Sequence, residues 1–231
     1  MILKKWDSLP SEFKTEEVKR YYEILKRKKF SLFLKRLFDV LVSLILLSIA
    51  LPFFIILAIV IKIDSRGPVF YRQERVTSYN KKFRIFKFRT MVFNADKKGS
   101  LITGKNDCRI TRVGKFIRKC RLDEVSQLID VLRGKMTFVG TRPEVPKYVE
   151  KYTPEMYATL LLPAGVTSTA SIKFKDEDEI LEKHSGENVD TVYVEKILPE
   201  KMKYNLNDIE NFGFFRDISI MFKTAVAIFK R

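Results

Sequence analysis

The hydrophobic pattern of this chain is dominated by one run, Val40 to Ile61, which carries no charged residue. Lys35 and Arg36 precede it, and Lys62 and Arg66 follow it. At roughly 1.5 Å per residue, a helix of that length covers a hydrocarbon core of about 30 Å, so a single crossing is one reading. Leu51-Pro52, near the middle, supports another. Proline removes a backbone hydrogen bond and clashes with the preceding turn, so it kinks a helix. Both flanks are basic, and basic flanks stay cytoplasmic, which favours a helix that enters the bilayer, bends and returns.

Weaker patterns surround this run. Leu9-Pro10-Ser11 reads as a turn and helix start, and Val18, Tyr21, Tyr22 and Leu25 then recur at helical spacing. With Lys19, Arg20, Lys26 and Arg27 alongside, this is a basic amphipathic helix, lying either on a membrane surface or against the protein body. Past the run, Val69-Phe70-Tyr71 and Phe83 to Met91 read as strands joined through Tyr79-Asn80-Lys81, a small β-hairpin. Residues 92 to 108 read as a polar, mobile loop, and Ile110 to Arg118 as a short helix. Asp123 to Arg133 predicts a helix with an apolar stripe of Val125, Leu128, Ile129 and Leu132, stopped by Gly134. Pro146 opens a further helix, Leu160 to Thr167 reads as an irregular stretch like a phosphate loop, and residues 173 to 188 are charged and exposed. Asp190 to Lys203 is helical in part, and Ile218 to Phe229 is an apolar-rich helix suited to the membrane interface. The expected fold is α+β and mostly helical. Its divisions are an amphipathic lead-in over 1–34, a membrane helix over 35–63 and a catalytic body over 64–231.

Composition narrows the partners. The 231 residues include 44 basic and 28 acidic ones, a formal charge of +16. Such an excess suits nucleic acid or an anionic membrane surface, and the apolar run decides for the membrane. The only cysteines, Cys108 and Cys120, form no CxxC pair, which fits a reduced, cytoplasm-facing body. No HExxH, GxSxG or Walker-A pattern occurs, so zinc hydrolysis, the serine elbow and P-loop chemistry receive no support. The lone His184 falls in a polar stretch.

Candidate chemistry centres on Asp123-Glu124. Acids at a helix N-terminus are common and stabilising in their own right. This pair, however, follows Arg112, Lys115, Arg118, Lys119 and Arg121. A carboxylate in that cationic field stays ionised, and two adjacent carboxylates suit a divalent metal carried by phosphates. Lys87 and Arg89, two apart on a strand, share a face and make either an anion site or a solvated edge. Arg142, held out of helical geometry by Pro143, presents a bidentate guanidinium to phosphate or pairs with Glu144 in a turn.

Lys-Arg-Leu-Phe-Asp (35–39), the apolar run with its proline, Lys87-Phe88-Arg89-Thr90-Met91, Arg121-Leu122-Asp123-Glu124 and Val139-Gly140-Thr141-Arg142-Pro143-Glu144 occur in that order. In this the chain resembles the bacterial sugar transferase family, the monotopic polyprenyl-phosphate phosphoglycosyl transferases, from about Lys35 to its C-terminus. The resemblance implies a monotopic fold with a re-entrant helix broken at Leu51-Pro52 and interfacial helices on the cytoplasmic face of the bacterial inner membrane. It implies transfer of a phosphosugar from a UDP-sugar to polyprenyl (undecaprenyl) phosphate, with UMP released, as the first step of glycan, exopolysaccharide or capsule assembly. On the same likeness Asp123 is the nucleophile of a covalent phosphosugar intermediate. Glu124 assists the lipid phosphate or helps bind Mg²⁺, and Lys87, Arg89 and Arg142 bind phosphate. Secondary candidates are Arg121 and Pro143 in these motifs, Thr167 and Lys173 in the stretch from Pro163 that corresponds to the family's Pro-Gly-Ile-Thr-Gly region, and Asp190 in Asp190-Thr191-Val192-Tyr193, which resembles its later Asp-x-x-Tyr.

Two departures stand out. Thr141 replaces a common proline, and the stretch after Pro163 lacks the family's Asn-Gly-Arg, with Lys173 and Lys175 as the nearby cations. A non-enzymatic basic membrane adaptor that binds anionic lipid is the competing expectation, and it does not require Asp123-Glu124. A nucleic-acid-binding protein would not need the apolar run at all.

Overall fold

A computed structural model describes residues 1–95, 107–175, 177 and 188–229. Helix α1 (Glu16–Arg27) begins later than the Ser11 start expected from sequence. Short 3₁₀ turns occupy Trp6–Ser8 and Ser11–Phe13, and Thr15 is the cap, its hydroxyl accepting from Val18 N at 3.3 Å. The apolar face of α1 is buried inside the protein. Val18, Tyr21, Tyr22 and Leu25 join a core shared with Tyr148, Leu161, Ile197 and Met202. Of the two sequence readings, packing against the body is the one observed, and the lead-in is part of that body.

Helix α2 (Lys29–Asp64) runs 36 residues with Pro52 inside it. Its central side chains, Leu44, Ile45, Ile49, Leu51, Phe53 and Ile56 among them, are exposed. Its ends are not. Near the start, Lys35 Nζ donates to Val139 O at 2.7 Å and pairs with Asp217, while Asp39 accepts from Thr137 Oγ1 at 2.7 Å and Phe138 N at 3.2 Å. Near the finish, Arg89 Nη2 donates to Ser65 O at 2.6 Å, and the Asp64 carboxylate accepts from Val113 N at 3.1 Å. Both ends are therefore tied to one polar body, with a long apolar surface between them.

Strands β1 (Phe70–Thr77) and β2 (Lys81–Phe88) form the expected antiparallel hairpin, Phe70 facing Phe88 and Thr77 facing Lys81. Helix α3 (Arg112–Lys119) follows, capped by Thr111. The helix expected over Asp123–Arg133 is instead a 3₁₀ segment, Leu122–Gln127, passing into a short α4 (Leu128–Leu132) that ends before Gly134 at φ +72. A 3₁₀ turn advances about 120° per residue rather than 100°, so the stripe is rotated. Leu128 and Val131 are buried as core, but so are Ser126 and Asp130, which bond the Phe86 backbone at 3.0 and 2.8 Å.

The irregular stretch expected over 160–167 is corrected too. Ala164–Thr167 is a buried strand, β4, parallel to β3 (Met136–Val139). The strands close in through Gly140 and Gly165, where a Cβ on Gly165 would lie 2.1 Å from Gly140 O. Helices α5 (Pro146–Val149), α6 (Thr169–Lys173), α7 (Val189–Val192), α8 (Leu198–Glu210) and α9 (Phe214–Phe229) complete the body. A π-helical turn, Tyr193–Ile197, joins α7 to α8. On α9, Asp217 and Ile220 are buried while Phe215, Phe222 and Val226 are exposed, so one face packs on the body and the other is left uncovered. Most of the expected loop over 92–108 and of the charged stretch over 173–188, His184 included, lies outside the described residues.

Candidate active site

Asp123 and Glu124 open the 3₁₀ segment, just after Arg121, which adopts φ +55 and turns the chain sharply out of α3. That left-handed residue lets one short stretch pack α3 on one side and present two acids on the other. Glu124 is the more committed of the pair. Lys87 Nζ, from β2, sits 3.1 Å from its Oε1, and Arg142, from the loop after β3, donates to both its oxygens. Burial alone pushes the Glu124 carboxyl up, but Arg142 and then Lys87 outweigh it and hold the group well below the usual range. Arg142 is raised in turn, chiefly by Glu124. Lys87 is lowered by its burial, an effect Glu124 opposes.

Asp123 is different. No described side chain hydrogen-bonds its carboxylate, and burial raises its pKa, with Lys87 pulling the other way and Glu124 adding to the rise. The result is a half-buried carboxylate, more basic than usual and without a side-chain hydrogen bond, beside a Lys-Glu-Arg cluster with one net positive charge. Such a cluster neutralises a phosphate as it arrives. Among the described residues no group of three or more His, Cys, Asp or Glu side chains holds a metal on its own. The donor set instead fits a hard cation that brings phosphate and water ligands and needs one or two carboxylates. Asp123 is free to supply one, whereas the Glu124 oxygens are already shared between two cations.

The other sequence candidates are dispersed. Arg89 does not share the site with Lys87, because β2 ends at Phe88. Arg89 is 5% exposed and caps the C-terminus of α2 through Ile61 O and Ser65. Arg121 is exposed but within electrostatic reach of Glu124. Pro143 is buried and its carbonyl accepts from Arg75 Nη1 at 3.0 Å. Thr167 meets Thr224 of α9 at 2.8 Å, and Lys173 is exposed at the end of α6. Asp190 accepts from Lys147 at 2.5 Å and Tyr148 at 2.6 Å, and these bonds lower its pKa. Leu51 and Pro52 face outward on α2.

Arg142 does not form the local pair with Glu144 that the sequence allowed. Glu144 accepts from Tyr193 Oη at 2.6 Å and lies 3.5 Å from Lys201 Nζ, which also reaches Tyr193 Oη at 2.9 Å and Glu177 at 3.0 Å. Lys201, Glu177 and Arg75 were not singled out from sequence. A lysine on an amphipathic helix gives no signal of burial, and the partners are remote in the chain.

The site thus joins a half-buried acid pair to two cations, on a body pinned to an exposed apolar helix. Comparison with known proteins gives the family. A family model described as bacterial sugar transferase matches residues 30–231, and the chain belongs to that family. It is 34% identical over 196 residues to UDP-N-acetylgalactosamine-undecaprenyl-phosphate N-acetylgalactosaminephosphotransferase of Aeromonas hydrophila, covering 83% of this chain and 43% of that protein. It is 35% identical over 219 residues to undecaprenyl-phosphate galactose phosphotransferase of Salmonella typhimurium, covering 88% of this chain and 42% of that protein. An uncharacterized sugar transferase, EpsL of Bacillus subtilis, is 31% identical over 188 residues, 81% of this chain and 83% of its own length. This chain thus spans less than half the length of the first two.

Proposed function

We propose that this chain transfers a sugar phosphate from a UDP-sugar to polyprenyl phosphate at the cytoplasmic face of the bacterial inner membrane. The observation that carries this reading is the division of labour between neighbours: Glu124 is held by Lys87 and Arg142, while no described side chain hydrogen-bonds the Asp123 carboxylate. The donor diphosphate repels an approaching anion until its charge is neutralised, and the cationic arms of Lys87 and Arg142 face that task. An Asp123 oxygen then attacks the phosphorus that bears the sugar. The bond to the UMP oxygen breaks, UMP leaves with the electron pair, and the phosphosugar is held as an acyl phosphate. A polyprenyl-phosphate oxygen attacks the same phosphorus, and the departing carboxylate regenerates Asp123. Splitting the exchange into two displacements is the advantage of a covalent route. Bound Mg²⁺ would add charge neutralisation on the diphosphate, with Asp123 as its protein ligand and Glu124 close by.

The membrane geometry supports the same reading. A straight crossing helix would place its ends on opposite sides of the bilayer, whereas Lys35–Asp39 and Asp64–Ser65 both bind one polar body. A helix that enters, bends at Pro52 and returns meets that constraint, and holds the acid pair near the lipid headgroups.

The test is UMP release by the chain in lipid vesicles, with a panel of UDP-sugars, polyprenyl phosphate and Mg²⁺. Wild type is expected to release UMP, and Asp123→Asn to lose several orders of magnitude in rate, up to about 10⁶-fold, as removal of a nucleophile does. Without acceptor lipid, mass spectrometry should find a phosphosugar on Asp123. Full activity in Asp123→Asn would refute the covalent route, and a membrane adaptor would show no release at all.

A further inference from the structure

Arg142 has two carboxylates to choose between. Glu144 lies two residues along an extended, non-helical segment, and it is close enough to raise the Arg142 pKa, after Glu124. Glu124 is 18 positions away in sequence. Loop closure favours the nearer partner, since pairing across a longer loop costs more chain entropy. Yet the guanidinium sits on Glu124. The reason lies on the other side of Glu144, which is only 7% exposed and is held by Tyr193 Oη and Lys201 Nζ. Lys201 is itself buried, and its ammonium is shared among Glu144, Glu177 and Tyr193. The other cation within reach of Glu144, Arg75, is engaged by Pro143 O and Gln73 Oε1.

We propose that Lys201 and Tyr193 are positioning residues that hold Glu144 away from Arg142 and thereby reserve Arg142 for Glu124. Removing Lys201 leaves a buried carboxylate without its cation, which is strongly unfavourable. The half-exposed Arg142 is the group that can turn to meet it, since the backbone beneath is fixed by Val76 N to Glu144 O at 2.9 Å and Gly165 N to Thr141 O at 2.8 Å. Glu124 would then keep Lys87 alone, and the site would lose its second phosphate-facing cation. A helix remote from the acid pair in sequence thus governs which carboxylate the site arginine serves.

This rests on the transfer reaction above only for its activity readout. The first measurement is the structure of Lys201→Met, where Arg142 is expected on Glu144. The second is UMP release, expected to fall about tenfold or more in Lys201→Met with the KM for the UDP-sugar raised, and to return to within about threefold in Lys201→Met/Glu144→Gln, a coupling that only interacting residues show. Glu144→Gln alone is expected to stay near wild type. A merely structural role would lower the melting temperature and the folded fraction while leaving KM unchanged. Should Lys201→Met not fold, Lys201→Gln, which removes the charge but keeps a hydrogen-bond donor, takes its place with the same expected shift of Arg142. The proposal is overturned if Arg142 stays on Glu124 in the variant, or if Glu144→Gln fails to restore KM. If wild type releases no UMP with any donor, the transfer reading fails, and the position of Arg142 still decides this one.

Discussion

Burial acts on Asp123 and Glu124 in the same direction, and the cations beside each decide the difference. Glu124, gripped by Arg142 and Lys87, sits well below its ordinary pKa, so it remains ionised well into the acid range. A carboxyl lowered on folding contributes stability above its unfolded pKa and loses it as pH falls through the lower folded value. Melting of wild type should therefore become progressively easier on acidification below about pH 4.5, the ordinary glutamate region. Glu124→Gln should show a shallower slope over that window in calorimetry, and parallel slopes would contradict the assignment. Asp123, Glu124, Lys87 and Arg142 were all legible in the sequence, because unusual local contexts (an acid pair after a run of cations, an arginine before proline) marked them. Arg89 was misplaced, since strand alternation was extended one residue beyond the strand's end at Phe88. Lys201 was invisible, since nothing local distinguishes a buried lysine from a solvated one.

At the scale of elements, the hydrophobic pattern found α1 by its helical spacing and α2 by its unbroken apolar run, and the hairpin, α3 and α9 were also expected. It missed β3 and β4, each four residues and buried except at the half-buried Val166, which carry no alternation to read. These strands set the loop that carries Arg142, and they depend on backbone contact between Gly140 and Gly165. A methyl on Gly165 would lie 2.1 Å from Gly140 O and 2.2 Å from Gly140 N, against rigid backbone rather than a flexible side chain. Gly165→Ala is accordingly expected to destabilise the protein by about 3 kcal/mol or more, the upper end of overpacking costs, and to displace Arg142. Denaturant unfolding in detergent checks the first, and a change of less than about 0.5 kcal/mol, the range of a neutral surface substitution, would show that the strands can part without cost.

For the whole molecule, the central question is on which side of the bilayer the ends of α2 lie. With Cys108 and Cys120 replaced by serine, single cysteines in place of Lys29 and Arg66, both exposed, report the two ends. In inside-out vesicles a membrane-impermeant maleimide should label both positions, and in right-side-out vesicles neither. Labelling of one position in each orientation would mean that the helix crosses, and the re-entrant reading would fall. Body and apolar helix are coupled by buried polar ties such as Lys35 with Asp217 and Asp39 with Thr137, 182 and 98 positions apart in sequence. Breaking one partner of such a tie leaves an uncompensated buried charge.

The sequence by itself determined the long apolar helix, the basic body, the hairpin and the acid pair, because each is a local pattern of side-chain chemistry and spacing. Tertiary structure alone decided that α1 packs inside the body, that two short glycine-bearing strands pair in parallel, and that Arg142 serves Glu124 while Tyr193 and Lys201 take Glu144. Those outcomes turn on which groups share a buried space, and in a low-dielectric interior every charge must find a partner among neighbours that the chain brings together from far apart.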